Sequence, residues 1–214
     1  MTLSTPVLFG AAYSVYVRIV MMALQTKGVA YHHVPVDVFA ASGLPDWYEA
    51  IHPFGKIPAF RHEEMTLYEA TVISRYVDEA FPGPPLQPET PAERAIMAQI
   101  IAITDAYGYR PLVWDIYVEK ISKPRNGEAT NARRVAAAFP KARTYLGAIS
   151  SLIKPQPYLL GKVPTLADFH LAPVIGYFAL VQEGEVMLAQ YPTILTWWEF
   201  FSASPYWKAL PPLK

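Results

Sequence analysis

The sequence predicts an α/β domain followed by an all-helical domain, and three observations lead to this fold class. Short apolar strands alternate with helices over residues 1–81, in the order βαβαββα. Residues 81–88 include four prolines, which indicates a stiff linker over residues 82–90. From residue 91 to 214 only helical periodicity is found, so the second domain should contain helices alone.

The first two strands and the helix between them follow from apolar runs and their boundaries. Residues 7–9 form a short apolar strand, and a mostly apolar helix runs from residue 15 to about Gly28. A second strand covers residues 31–36. Its Pro35 has no N–H to donate, so this strand should lie at the edge of the sheet or end there.

The rest of the first domain is predicted to be a broken helix, a hairpin and a helix. Gly43 and Pro45 interrupt any long helix between residues 38 and 51. Two apolar runs, 57–60 and 65–68, flank a charged turn and predict a β-hairpin. A helix then completes the domain, and its apolar face carries Val72, Ile73, Tyr76 and Val77.

In the second domain, two patterns mark where helices begin and one residue marks an expected break. Thr90 with Glu93, and Thr165 with Asp168, are spaced as capping boxes, in which each side chain satisfies a free N–H of the first helical turn. We assign these pairs a structural role only. Pro111 is expected to interrupt the helix that contains it.

Composition excludes several classes of function. Lys plus Arg and Asp plus Glu both number 18, so no net charge attracts nucleic acid, and we expect none as a partner. No apolar run reaches the ~18 residues that span a bilayer, and no signal-peptide pattern is found. We therefore expect a cytoplasmic protein that does not bind membranes. Cysteine is absent, so any sulfur chemistry requires a thiol from a ligand.

The segment IHPFGKIPAF contains a candidate peptide-binding edge. Because Pro58 opens a strand and cannot donate to a ladder, the peptide groups of Ile57 are free to pair elsewhere. An extended ligand peptide could add there like a strand. The alternative is an ordinary start of an edge strand, and this segment alone does not decide between them.

The segment LYEATVISRYV places a carboxylate beside the start of a helix. A strand leads to Glu69, and the free N–H groups of the helix that follows form an anion site. An anion site next to a carboxylate suits a ligand that carries an α-amino acid group. The alternative role for Glu69 is to cap the helix.

These two segments, together with GKVPTLADFHLAPV, resemble three signature segments of the cytosolic glutathione S-transferases, in the family's order and spacing. The resemblance covers essentially the whole chain and is to members of the bacterial serine type. It implies a thioredoxin-like first domain, glutathione as co-substrate, no metal, a hydrophobic electrophile as acceptor, and a homodimer. It also implies a cis peptide bond before Pro58 and a hydrogen bond from Ile57 to the cysteinyl backbone. Lys56 should approach the glycyl carboxylate or cap the site.

The resemblance directs attention to Ser14 as the catalytic residue, at the first strand–helix junction. A thiol attacks well only as the thiolate, and a hydroxyl that donates to sulfur near a helix N-terminus favours that anion. Val15 stands where these relatives have proline. Tyr13 and Tyr16 are rival candidates, since some classes use tyrosine, but their spacing from Arg18 fits less well.

Ala70 is the main departure from the family pattern, which has serine there. Its N–H can still bind the γ-glutamyl carboxylate, but a hydroxyl worth about 0.5–1.5 kcal/mol is missing. Thr71 could compensate. The sequence therefore also permits a non-catalytic ligand-binding or assembly protein, and a glutathione-dependent isomerase or peroxidase.

The helix from residue 104 to 120 is rich in aromatic side chains, and two interpretations stay open. In the family this helix borders the acceptor site, which suits flat, apolar substrates. Packing within the helical domain accounts for the aromatic residues equally well. Asp105 could face the glutathione of a partner subunit, as an acid on this helix does in some classes.

Overall fold

The computed structural model describes residues 4–154 and 157–213, and the chain forms two compact units. The first contains the described residues up to Leu86 together with Lys208–Pro212. The second contains the described residues from Gln87 to Trp207 and also Leu213. Within the described residues, no helix is long and apolar enough to cross a membrane.

The first unit is a four-stranded mixed sheet with helices, which confirms the predicted fold class. Its elements are β1 (Val7–Phe9), α1 (Val15–Thr26), β2 (His32–Val34), α2 (Asp46–Glu49), β3 (Ala59–His62), β4 (Met65–Tyr68) and α3 (Ala70–Ala80). The strand order is β2-β1-β3-β4. β1 pairs with β2 in parallel, and β3 is antiparallel to both β1 and β4. β2 lies at an edge and ends before Pro35, as predicted.

Apolar side chains hold the sheet to its helices. Val17, Val20 and Leu24 of α1 are fully buried, as are Ile73 and Val77 of α3. Removing such side chains from water is the main force that holds the unit together, at about 1.5–3 kcal/mol each.

A buried ion pair joins these two helices to the proline-rich segment. Lys27 Nζ lies 3.1 Å from Asp78 Oδ1 and donates to the carbonyls of Gly83 and Pro84, while Asp78 accepts the N–H of Leu86. Each charged group therefore has a partner of opposite charge, and these three backbone groups of the proline-rich segment are hydrogen-bonded. The start of the segment predicted as a linker is consequently part of the first unit.

The described residues of the second unit form helices and no β-strand, as predicted. Its α-helices are α4 (Pro91–Ile103), α5 (Lys123–Arg125), α6 (Ala132–Leu152), α7 (Leu166–Ala179), α8 (Gln182–Leu188), α9 (Pro192–Ala203) and α10 (Pro205–Lys208). Two π-helical segments, Thr104–Gly108 and Arg110–Ser122, connect α4 to α5.

The expected break at Pro111 is wrong. Pro111 lies in the first turn of the second π-helical segment, inside a helical run that continues unbroken from α4 to α5. The chain therefore stays helical and changes its hydrogen-bonding pattern from α to π instead of ending.

Thr165 and Asp168 form the full capping box, whereas at α4 the Thr90 hydroxyl caps the helix and donates to the Glu93 carboxylate. Thr90 Oγ1 accepts the N–H of Glu93 at 3.2 Å at the start of α4. Asp168 accepts the N–H of Thr165 at 2.8 Å, and it also accepts Leu159 N–H and the indole N–H of Trp197. Asp168 is fully buried, so these donors stabilise its carboxyl group inside the unit.

The C-terminal segment Lys208–Pro212 packs with the first unit, which the sequence analysis did not anticipate. Arg18 of α1 donates to the carbonyl of Pro211 at 2.6 Å. Arg18 is 1% exposed, and such a buried guanidinium requires acceptors, which the backbone of the segment supplies.

Candidate active site

The register of the sheet brings the predicted site residues to one end of the first unit. Phe9 of β1 pairs with Ala59 of β3, and Ala59 pairs with Tyr68 of β4. Because both pairs are antiparallel, the end of β1, the start of β3 and the end of β4 lie at the same end of the sheet. The segments that adjoin these three strand ends therefore lie there as well. Ser14 follows β1, Lys56 and Ile57 precede β3, and Glu69 and Ala70 follow β4.

Ser14 precedes α1 with a hydroxyl that does not cap the helix. Its backbone is extended, with φ −64° and ψ 131°, and its carbonyl accepts the N–H of Arg18 at 3.0 Å. Within the described residues, its side chain makes no capping hydrogen bond. The half-buried hydroxyl is therefore available to a ligand beside the positive end of the helix dipole.

Backbone contacts fix the turn that carries Ser14. The N–H of Ser14 donates to the carbonyl of Ala11 at 2.9 Å, and the guanidinium of Arg18 donates to the carbonyl of Ala12 at 3.1 Å. These hydrogen bonds to two consecutive carbonyls fix the turn and therefore the position of Ser14.

Tyr13, one of the rival candidates, has its hydroxyl engaged elsewhere. Tyr13 donates to Asp37 Oδ1 at 2.6 Å, and the same oxygen accepts the N–H of Phe39. The rings of Tyr13 and Phe39 are stacked with centroids 6.5 Å apart. A hydroxyl that donates to a carboxylate cannot donate the same proton to a thiolate. Tyr16, the other rival, lies in the first turn of α1.

Gly10 allows the end of β1 to approach Ile57. Its φ is +141°, and a Cβ there would lie 2.5 Å from Val17 Cγ2 and 3.1 Å from Ile57 Cβ. Any larger residue would push these elements apart. The glycine after the first apolar strand was visible in the sequence, but its contact with residue 57 was not.

Ile57 presents a peptide group without a strand partner. The bond between Ile57 and Pro58 is cis, as the resemblance implied. β3 begins only at Ala59, and no hydrogen bond joins the backbone of Ile57 to another described residue. Its N–H and carbonyl can therefore pair with an extended ligand.

Lys56 and Glu69 both act electrostatically on His52. Both side chains are exposed, whereas His52 is 2% exposed and its ring centroid lies 4.9 Å from that of Tyr68. Burial lowers the pKa of His52, the Glu69 carboxylate opposes this shift, and the Lys56 ammonium adds to it. Burial and the Lys56 ammonium together outweigh the Glu69 carboxylate and favour the neutral form of His52.

Glu69 connects β4 to α3 through an unusual backbone conformation. Its φ is 69° and its ψ is 115°, and its carbonyl accepts the N–H of Ile73 at 2.9 Å. Among the described residues, its side chain makes no capping hydrogen bond. Ala70, 4% exposed, begins a helix of 11 residues. The N–H groups of this first turn form an anion site beside a carboxylate.

Within the described ranges, no three His, Cys, Asp or Glu side chains lie close enough together to hold a metal ion. The polar groups at this end of the sheet are instead a hydroxyl, a free peptide group, a helix N-terminus and two opposite charges. Such a set suits a small zwitterionic peptide.

Comparisons with known proteins agree with this geometry. Residues 8–85 match the family model "Glutathione S-transferase, N-terminal domain", and residues 106–205 match "Glutathione S-transferase, C-terminal domain". The chain belongs to the glutathione S-transferase family. The first match lies in the unit that contains the mixed sheet, and the second lies in the helical unit.

Similar proteins cover nearly the full length of the chain. Glutathione S-transferase F13 of Arabidopsis thaliana is 26% identical over 96% of this chain and 94% of its own length. A glutathione S-transferase of Hyoscyamus muticus is 28% identical, with 94% of each chain covered. The solved structure of glutathione S-transferase III in apo form is 28% identical, with a TM-score of 0.81 over 98% of this chain and 99% of that one.

The sequence of this glutathione S-transferase indicated the main elements of the candidate site but not the residues that support them. Gly10, Tyr48 and His52 form contacts between segments that are distant in sequence. The glycine was the only one of the three with a local signal, because it closes an apolar strand. A buried tyrosine or histidine has no sequence pattern that separates a supporting role from core packing.

Proposed function

We propose that the protein conjugates the thiolate of glutathione to hydrophobic electrophiles, with Ser14 as the catalytic residue. The observation that carries the proposal is the common position of Ser14, Ile57 and Glu69 at one end of the sheet. The hydroxyl of Ser14, which makes no capping hydrogen bond to the described residues of α1, donates to the sulfur and stabilises the thiolate. The positive end of the α1 helix dipole adds to this stabilisation.

Glutathione is held by the groups that surround this position. The peptide of Ile57 pairs with the cysteinyl backbone, and Lys56 attracts the glycyl carboxylate. Glu69 pairs with the α-amino group, and the N–H of Ala70 donates to the γ-glutamyl carboxylate at the start of α3. Each charged end of the tripeptide thereby meets an opposite charge or dipole.

The proposal predicts a large loss of turnover in Ser14→Ala. Loss of a hydrogen bond to a charged group costs about 1.5–3 kcal/mol, which corresponds to a decrease in kcat of about 10- to 100-fold. Conjugation to a chloronitrobenzene acceptor, followed by absorbance, measures it. Tyr13→Phe is the matched control, because its hydroxyl is bound to Asp37. Equal turnover of wild type and Ser14→Ala would reject the assignment.

A second candidate function is non-catalytic binding of a ligand by a protein with this architecture. Ala70 favours it, because the side chain at the start of α3 supplies no hydroxyl to the carboxylate. Titration calorimetry with millimolar glutathione distinguishes the two. Absence of binding would favour the second candidate, whereas binding with turnover supports the first.

Four further parts of the proposal rest on the sequence and on its resemblance to the family. They are the serine type, a homodimer, a cytoplasmic location, and a division into residues 1–81, a linker over 82–90 and residues 91–214. The relatives described above are plant proteins, so they give no support to a specifically bacterial type. Sedimentation equilibrium would test the dimer directly.

A further inference from the structure

Tyr48 makes a hydrogen bond from inside the core to the chain at the candidate site. It lies in α2 and is 0% exposed. Its hydroxyl donates to the carbonyl of Lys56 at 2.8 Å. Burial raises the pKa of Tyr48, so the hydroxyl stays protonated and remains a donor at physiological pH.

The carbonyl that Tyr48 holds belongs to the same peptide group as the N–H of Ile57. This peptide bond is trans, since the cis bond lies one residue further on. In a trans peptide the C=O and N–H point in opposite directions within one plane. A carbonyl fixed toward the buried Tyr48 therefore directs the N–H of Ile57 away from the core.

The ring of Tyr48 is itself held in place. It packs in an apolar cluster with Phe9, Val36, Ile51 and Ala59, and its centroid lies 6.4 Å from that of Phe9. Phe9 and Ala59 are strand residues paired with each other. The hydroxyl thus has a fixed position relative to the sheet, as a group that orients another must have.

We propose that Tyr48 is a positioning residue that orients the Ile57 N–H for glutathione. This inference rests on the proposed function, in which that N–H binds the cysteinyl backbone. Tyr48 does not touch the ligand. It reduces the freedom of the peptide group before binding, so that less ordering accompanies binding.

The variant Tyr48→Phe tests this inference, because it keeps the ring and removes only the hydroxyl. The expected result is a two- to tenfold increase in the KM for glutathione, as for loss of one neutral hydrogen bond. The kcat and the KM for the electrophile should change little, because the interaction serves ground state and transition state alike. Calorimetry with S-methylglutathione should show the same loss of affinity.

The matched control is Tyr76→Phe in the same unit. The hydroxyl of Tyr76 pairs with His62 Nδ1 at 2.7 Å, so this variant also loses a hydrogen bond to a buried partner. It should keep the affinity of wild type for glutathione. An unchanged affinity in Tyr48→Phe, or an equal loss in both variants, would overturn the inference. A wild type that binds no glutathione would overturn the proposed function as well.

Discussion

Glu69 holds a backbone conformation that L-amino acids rarely adopt. Its φ of 69° lies in the left-handed region, where a Cβ costs about 1–2 kcal/mol. Backbone strain of this kind is common at binding and active sites. At Glu69 it turns the chain from β4 into α3.

A comparison of two glycine substitutions tests this account of Glu69. Glu63, in the turn between β3 and β4, has a φ of 53° and lies outside the candidate site. Glycine at either position should relieve strain and keep or raise the melting temperature. Only Glu69→Gly should weaken glutathione binding, by calorimetry, because only this carboxylate pairs with the amino group. Equal affinity of both variants would contradict the role of Glu69.

Ala70 gives the opposite test, since restoring a hydroxyl should improve the site. We expect Ala70→Ser to lower the KM for glutathione about two- to tenfold, through one new hydrogen bond to the γ-glutamyl carboxylate. The control is Ala80→Ser at the last position of the same helix. Steady-state kinetics at varied glutathione concentrations provides the measurement. No improvement would mean that the carboxylate does not lie at the start of α3.

At the level of elements, a buried cluster of charges joins the second π-helical segment to α6. Glu119 is 0% exposed and accepts from Lys123 at 2.9 Å, from the Asn131 N–H at 2.9 Å and from Arg134 at 3.2 Å. Burial alone would raise the pKa of Glu119, but these donors outweigh it and the pKa is lowered. The cluster therefore stabilises the charged carboxylate.

This lowered pKa predicts a loss of stability in acid. A carboxyl group whose pKa is lower in the folded state stabilises the fold above its unfolded pKa of about 4.3, and this stability is lost as the pH falls below that value. Glu119→Gln should be less stable than wild type at pH 7. Its free energy of unfolding should also fall less than that of wild type when the pH is lowered. Urea unfolding at pH 7 and about pH 3 measures both.

The exposed residue Glu128 provides the control for this pH effect. Glu128→Gln should follow the wild-type dependence of stability on pH. If Glu119→Gln showed the same difference between neutral and acid conditions as wild type, the stabilisation by Lys123, Asn131 and Arg134 would be disproved.

For the whole molecule, the sequence predicted the order of elements because apolar periodicity and capping are local. β2 ended before Pro35, and Thr90 capped α4, since both effects depend on one or two residues. The π-helical geometry around Pro111 was missed because the proline signal alone indicates a break. Tertiary packing decides how a helix accommodates it.

The long-range contacts of the site could not be predicted from local patterns. The hydrogen bond from Tyr13 to Asp37 joins residues 24 positions apart, and the one from Arg18 to Pro211 joins residues 193 positions apart. Neither pair has a spacing that a helix or strand would dictate. The candidate site residues could be identified from the sequence only because short motifs near Ser14, Ile57 and Glu69 resemble those of a known family.

The most direct test of the central claim is a pH titration of the thiol of bound glutathione, followed by thiolate absorbance in the ultraviolet. The protein contains no cysteine, so the thiolate signal comes from the ligand alone. We predict a pKa well below the ~8.5 of a free thiol in wild type, and a return toward that value in Ser14→Ala. The same pKa in both proteins would contradict the claim that Ser14 stabilises the thiolate.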